Sequence, residues 1–242
     1  MLRVMAIKLT KNIVCFSSHG PGNFETVLDY CALSSGRARV ISLITDRERI
    51  PSIDMARTHG IPYRVFSFST NKISDPNFNS ERARSSNEIL SYLLEIEKNE
   101  SIDLIVCAFR RILVGNIIHH FARRIINVHP ADLSVWDFNT RTRRYLGIGG
   151  LKKSILDGNK TTRTTIHYLD EGVDTGEIIC LGPPIPVEHN GNPFNFEKHE
   201  SAQKLKSDKP ALMFALDHVL FPKGSFDQPI ILSQDTTFIN RR

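Results

Sequence analysis

The chain is poor in cysteine. Four residues in 242, Cys15, Cys31, Cys107 and Cys180, form no CxxC pair. That excludes a disulfide-stapled scaffold and points to a reducing, cytoplasmic setting. Cys15 and Cys107 sit inside apolar runs and read as buried thiols. No apolar run approaches membrane-spanning length. Residues 1–10 mix Arg3 and Lys8 with short apolar stretches and lack both a signal-peptide core and a small-residue cleavage pattern. A soluble protein with no membrane partner is therefore expected. Internal repeats, low-complexity segments and composition breaks are also missing, so the chain reads as one α/β domain over 1–220 followed by an arm over 221–242. The net charge of +5 suits an anionic substrate. The basic clusters at Arg110-Arg111, Arg123-Arg124 and Arg141 to Arg144 carry no interleaved aromatics, so they read more readily as solvated surface than as a nucleic-acid interface. His119-His120 has no ligand-spaced carboxylate or cysteine, and no metal is expected.

What is present alternates. The β-rich run 12–16 ends in Ser17-Ser18-His19-Gly20-Pro21-Gly22-Asn23. Helical spacing follows over 24–33, with Asn23 as N-cap. A strand, a glycine loop and a helix present backbone N–H groups to an anion. A second unit repeats the pattern: a strand over 38–44, a helix over 52–59 ended by Gly60, and a strand over 63–68. A polar loop over 69–79 leads to a helix over 80–98, capped by Asn79 or Ser80. The nearly continuous apolar run 103–109 marks a central parallel strand covered on both faces. A short helix over 115–122 and a strand over 125–128 complete the series. The order predicts an open, Rossmann-like, mainly parallel sheet with helices on both faces, and ligands beyond the carboxyl ends of its strands. Beyond it, 130–145 reads as irregular, 149–156 as helix, 161–169 and 177–181 as strands, 207–220 as an amphipathic helix, and 229–232 as a strand-like arm with a loose basic end.

Two polar signatures carry the chemistry. Asn127 and His129 are two apart on a strand and share a face. The segment Asp170-Glu171-Gly172-Val173-Asp174-Thr175-Gly176 links two later strands and offers an acid. An amide and an imidazole addressing one atom, with a carboxylate to set their charge, suit acyl transfer.

These motifs, in this order and spacing, resemble the folate-dependent formyltransferases, over about residues 12–187 and most closely their phosphoribosylglycinamide (GAR) formyltransferase branch. The resemblance implies a formyltransferase-type fold and transfer of a formyl group from 10-formyltetrahydrofolate to a primary amine, here GAR in purine biosynthesis. It places Asn127, His129 and Asp174 on the family's catalytic Asn, His and Asp. Arg111-Ile112-Leu113 and Asp170, Glu171, Gly172 and Val173 fall beside its folate pocket. Gly20, Gly22 and Asn23 fall on its phosphate loop, and Asp208 is the nearest match to a ribose-binding group. Asp174 is expected to hold up the pKa of His129, which would act protonated. Pro21 removes one donor from the phosphate loop, and the Arg-rich stretch through Tyr145 departs from the family's shorter turn. Another amine, such as an amino sugar or amino-nucleotide, therefore stays open as the acceptor. So does a non-catalytic nucleic-acid-binding module. Initiator tRNA is disfavoured, because no second RNA-binding domain follows. The expected partner is a phosphorylated small-molecule amine, and a homodimer is allowed.

Overall fold

Strands and helices alternate from the start in the computed structural model, which describes residues 10–68, 74–188, 194–224 and 228–234. The order is β1 (Lys11–Ser17), α1 (Gly22–Leu33), β2 (Ala38–Thr45), α2 (Pro51–Thr58), β3 (Tyr63–Val65), α3 (Phe78–Glu97), β4 (Leu104–Ala108), α4 (Asn116–His120) and β5 (Ile125–His129). There follow the hairpin β6 (Trp136–Asp137) and β7 (Thr142–Arg143), α5 (Gly150–Leu156), β8 (Thr161–Thr162), β9 (Thr165–Tyr168), β10 (Ile178–Leu181) and β11 (Ile185–Pro186). The chain continues through α6 (Phe196–Gln203), α7 (Lys209–Leu220) and β12 (Ile230–Ile231). Residues 1–9, the start of the expected polar loop at 69–73, part of the polar stretch after Pro184 and the loose basic end lie outside the described residues.

The main sheet has the order β12-β10-β9-β5-β4-β1-β2-β3. Every neighbouring pair is parallel except those made by β9, which runs against both β5 and β10. This is the open, mainly parallel α/β sheet the alternation predicts. Side chains alternate between two cores. Ile13 and Cys15 of β1, Leu104 and Val106 of β4, and Ile126 and Val128 of β5 pack with residues of α1, α2 and α7. Val14 and Phe16, Ile105 and Cys107, and Ile125 pack on the other face with residues of α3 and α4. Asn127 and His129 continue the face of Ile125. A one-residue slip of β5 would turn Ile126 and Val128 out of their core, at a cost of about 1.5–3 kcal/mol for each fully buried side chain. The apolar cores on both faces therefore hold the polar pair in register.

Several local expectations change. The helix α1 starts at Gly22, with Pro21 as its N-cap and no side-chain cap, so Asn23 sits inside the first turn. The helix α3 starts at Phe78 rather than at Ser80. Its apolar stripe is narrower than the spacing suggests, since Leu94 remains 39% exposed. The single strand expected over 161–169 is two. β8 pairs with β11 in a separate ribbon, while β9 enters the main sheet. The irregular stretch 130–145 contains the β6–β7 hairpin, in which Arg141 adopts a positive φ of 55°. The helix expected from Ser207 is preceded by α6, capped by the Asn195 side chain, and by a π turn over Lys204–Asp208. The extra residue of a π turn shifts the helical phase and hides the join from a 3.6-residue period. The arm returns to the fold: β12 pairs with β10 at the sheet edge and Leu232 is buried. Among the described residues, no helix is long and apolar enough to cross a membrane.

Candidate active site

The antiparallel register of β5 and β9 sets Asn127 opposite His167 and His129 opposite Thr165. Directly opposed residues share a face, so one wall carries both polar pairs. Asp174 reaches it from the β9–β10 loop. Its backbone φ of 54° is left-handed, a conformation that Asp and Asn tolerate better than most residues. Its carboxylate becomes the centre of the site. Oδ2 accepts the Gly147 backbone N–H at 2.7 Å and faces His129 Nδ1 at 3.2 Å. Oδ1 accepts from Asn127 Nδ2 at 3.3 Å and faces His167 Nε2 at 3.5 Å. Arg143, from the β7 strand, donates to the Asp174 backbone carbonyl at 2.7 Å and so ties the hairpin to the acid loop.

Burial alone would raise the Asp174 pKa. The His167 and His129 rings and the Gly147 N–H outweigh it and hold the carboxyl at about 2. Asp174 is therefore ionised throughout the neutral range. For His129 the balance differs. Burial pushes its pKa below the ordinary value, and Asp174 and the Tyr145 carbonyl oppose this without overcoming it. The expectation of a raised His129 pKa is thus corrected: the ring is only 4% exposed, and desolvation of an imidazolium outweighs one nearby carboxylate. Each ring nitrogen faces an acceptor: Nε2 lies 2.7 Å from the Tyr145 carbonyl oxygen and Nδ1 3.2 Å from the Asp174 carboxylate. Space is tight at this point. A side chain at Gly150 would run into the Tyr145 carbonyl and come within 3.0 Å of His129 Nε2.

The remaining sequence-predicted residues fall in three places. Gly20, Gly22 and Asn23 lie at the N-terminus of α1, where the space around both glycines is open and the first-turn N–H groups have no side-chain cap. Arg111 follows β4, but its guanidinium is turned inward. Nε donates to Asp46 Oδ2 at 2.6 Å and the group lies 4.4 Å from the Phe68 ring centroid. One further atom of each partner, Arg111 Nη1 and Asp46 Oδ1, is buried without a hydrogen bond. Ile112 is half-buried, and Leu113 belongs to the α3–α4 core. In the acid loop, Asp170 Oδ1 accepts from Gly172 N and Thr175 Oγ1, a local turn that sets up Asp174. Glu171 pairs with His119 at 3.1 Å, and Val173 is exposed. Asp170 and Glu171 border an open cleft of about 300 Å³ with Ile118, His119, Tyr168 and Leu169. His119 and His120 diverge, the second pairing with Glu97 at 2.6 Å.

Asp208 is buried, accepts from Thr164 Oγ1, and lies just before α7, which shares a sheet face with α1, the helix that begins at Gly22. Burial pushes its carboxyl up to about 6. Sequence reasoning assigned no chemistry to His167, which the structure puts against both Asn127 and Asp174. The signal was available: Thr165-x-His167 repeats the two-residue spacing of Asn127-x-His129. Gly147, Tyr145 and Gly150 left no such trace, since they act through backbone atoms or the lack of a side chain.

The model of the formyl transferase family matches residues 11–192, and the chain belongs to that family. It is 27% identical over 174 residues to a chloroplastic phosphoribosylglycinamide formyltransferase of Arabidopsis thaliana, covering 70% of this chain and 53% of the relative. The match thus spans about half of that protein. It is also 27% identical over 183 residues to the phosphoribosylglycinamide formyltransferase of Haemophilus influenzae, covering 74% of each chain. The fold matches the crystal structure of glycinamide ribonucleotide transformylase 1 from Symbiobacterium toebii with a TM-score of 0.70 at 20% identity, covering 91% of this chain and 92% of that one.

Proposed function

We propose that the chain transfers a formyl group from 10-formyltetrahydrofolate to a primary amine in purine biosynthesis, with phosphoribosylglycinamide as the acceptor. The observation that carries this reading is the meeting of Asn127 and His129, both on β5, with Asp174 from the β9–β10 loop, at 3.3 Å and 3.2 Å respectively, in a chain of the formyl transferase family. Amine nitrogen attacks the formyl carbon, and negative charge develops on the formyl oxygen. Asn127 Nδ2–H and His129 Nε2–H are the donors for that charge. Asp174, held ionised, stabilises the positive charge on the attacking nitrogen and orders the water that relays its proton toward N10 of the leaving folate. No covalent enzyme intermediate is needed.

The folate fits between the segment Arg111, Ile112 and Leu113 and the loop Asp170, Glu171, Gly172 and Val173. The uncapped α1 N-terminus at Gly20, Gly22 and Asn23 supplies the anion site for the acceptor phosphate. A cytoplasmic location accords with four free thiols. One observation favours a second reading, a different phosphorylated amine: the Arg-bearing β6–β7 hairpin reaches the acid loop through Arg143. The deciding assay supplies 10-formyltetrahydrofolate with a panel of amines, with and without phosphate. Formylation of GAR with competition by inorganic phosphate is expected. Preference for another amine selects the second reading, and no formyl release with any amine overturns both.

A further inference from the structure

The Asn127 amide meets two groups through the same atom. Nδ2 lies 3.2 Å from His167 Nε2 and 3.3 Å from Asp174 Oδ1. The other nitrogen of His167 settles how its ring can respond. Nδ1 lies 2.9 Å from the Tyr168 carbonyl, which only accepts, so Nδ1 carries a proton. Nε2 is then bare in the neutral ring and protonated only in the imidazolium. A bare Nε2 accepts one Asn127 amide hydrogen while Asp174 accepts the other. Both hydrogens are then consumed, and the amide turns its oxygen outward, where it would repel a developing oxyanion. An Nε2–H reverses the preference. It donates to Asp174 Oδ1 and to an amide oxygen turned toward it, and the Asn127 NH₂ then faces out with free donors.

We propose that His167 is a positioning residue whose protonation decides which end of the Asn127 amide faces the formyl oxygen, the imidazolium being the active form. The proposal rests on the formyl-transfer reading for the identity of that oxygen, not for the amide switch itself. His167 is 1% exposed, so solvent competes little for these bonds. Asp174 faces it from the β9–β10 loop and His129 interacts with it from β5; Arg143 of β7 acts on His129, and Cys107 of β4 on Asp174. From α4, His119 and His120 are committed to Glu171 and Glu97. The sign follows: formyl transfer falls as rising pH removes the His167 proton.

Two variants and one spectroscopic measurement test this on the full chain. His167→Gln places a permanent donor near the Nε2 position; His167→Leu has none. The Leu variant is expected to lose roughly 10²-fold in kcat, the scale of one oxyanion donor, with KM for folate changed less than about threefold. The Gln variant should recover at least about tenfold of that loss and lack the wild type's pH-dependent fall. Nitrogen NMR of the unliganded protein should show the Asn127 side-chain amide signals moving in step with the His167 ring nitrogens as pH is varied. Near-normal kcat in the Leu variant overturns the proposal. So does an Asn127 amide that stays still while His167 titrates, a result that stands whether or not the acceptor and cofactor are correctly assigned.

Discussion

Replacing Asp174 by Asn removes one charge and little else. Asn tolerates the left-handed backbone at φ 54°, and its side-chain oxygen can still accept the Gly147 N–H. The charge itself has a size. The folded carboxyl sits at about 2 against an ordinary value of 3.8. At 1.36 kcal/mol per unit, the ionised form is favoured in the fold by about 2 kcal/mol. The side chain is only 12% exposed, so solvent screening removes little of this. A depressed folded pKa contributes stability in full above the unfolded value and loses it as pH falls through the folded one. Asp174→Asn should therefore be less stable than wild type by about 2 kcal/mol at pH 7, with the gap closing as pH falls from about 4 toward 2. Urea unfolding at pH 7, 4, 3 and 2.5 reads this directly. In the assay, kcat should drop by about 10²-fold, with folate KM little changed. His129 also loses its main opposing charge, so its pKa should fall further, as ring NMR would show. A stability gap that is the same at every pH, together with near-normal kcat, would refute the electrostatic role and leave Asp174 as a turn residue.

Three further outcomes follow from the same geometry. Gly150→Ala pushes a methyl group against the Tyr145 carbonyl and His129 Nε2; thermal unfolding should show a loss of about 1–3 kcal/mol, with kcat reduced beyond what the folded fraction explains. Asp46→Ala strips the buried Arg111 guanidinium of its carboxylate, which should cost about 3 kcal/mol or more in urea unfolding and raise folate KM; unchanged stability would mean that the pair is solvated. Asp208 has a raised folded pKa of about 6, so its contribution is full below 3.8 and lost as pH rises past 6. Asp208→Asn should then be more stable than wild type by about 1–3 kcal/mol at pH 8, with the advantage gone at pH 3.5 and GAR kinetics unaltered.

The legible parts of this molecule are those where a period repeats. The strands β1, β2, β4 and β5 announce themselves as apolar runs, because each is covered on both faces, and Asn127-x-His129 stands out because polar residues interrupt such a run. What escaped has a physical cause in each case. The strand pattern over 161–169 hides a change of sheet at Arg163-Thr164, since β-branched residues continue through it. The π turn at Lys204–Asp208 breaks helical phase and concealed α6. The internal partners of Asp208 and Arg111, Thr164 and Asp46, lie far from them in sequence and left no local spacing to read. The direction of the His129 shift depended on how deeply the ring is buried, a quantity that no spacing between Asn127, His129 and Asp174 contains.

The site combines parts of different rigidity. Asn127, His129 and His167 stand on paired strands whose opposite faces are packed into a core, so their mutual geometry is fixed by burial worth many kcal/mol. Closure over His129 comes instead from backbone groups of the segment 145–150: the Tyr145 carbonyl on Nε2, the Gly147 N–H on Asp174, and Gly150 packed against the ring. Each such hydrogen bond is worth a net of about 0.5–1.5 kcal/mol. In this arrangement the His129 Nε2–H is already spent. For it to serve a formyl oxygen, the Tyr145 carbonyl must give way, an exchange of one acceptor for another that costs little if the incoming oxygen is gaining charge. The segment that must yield runs directly on from Arg143, which holds the Asp174 carbonyl. An amine acceptor that contacted the Arg-bearing hairpin would therefore act on the same short stretch of backbone that occupies the His129 imidazole, and under the proposed function acceptor recognition and exposure of the His129 donor would be joined through that stretch.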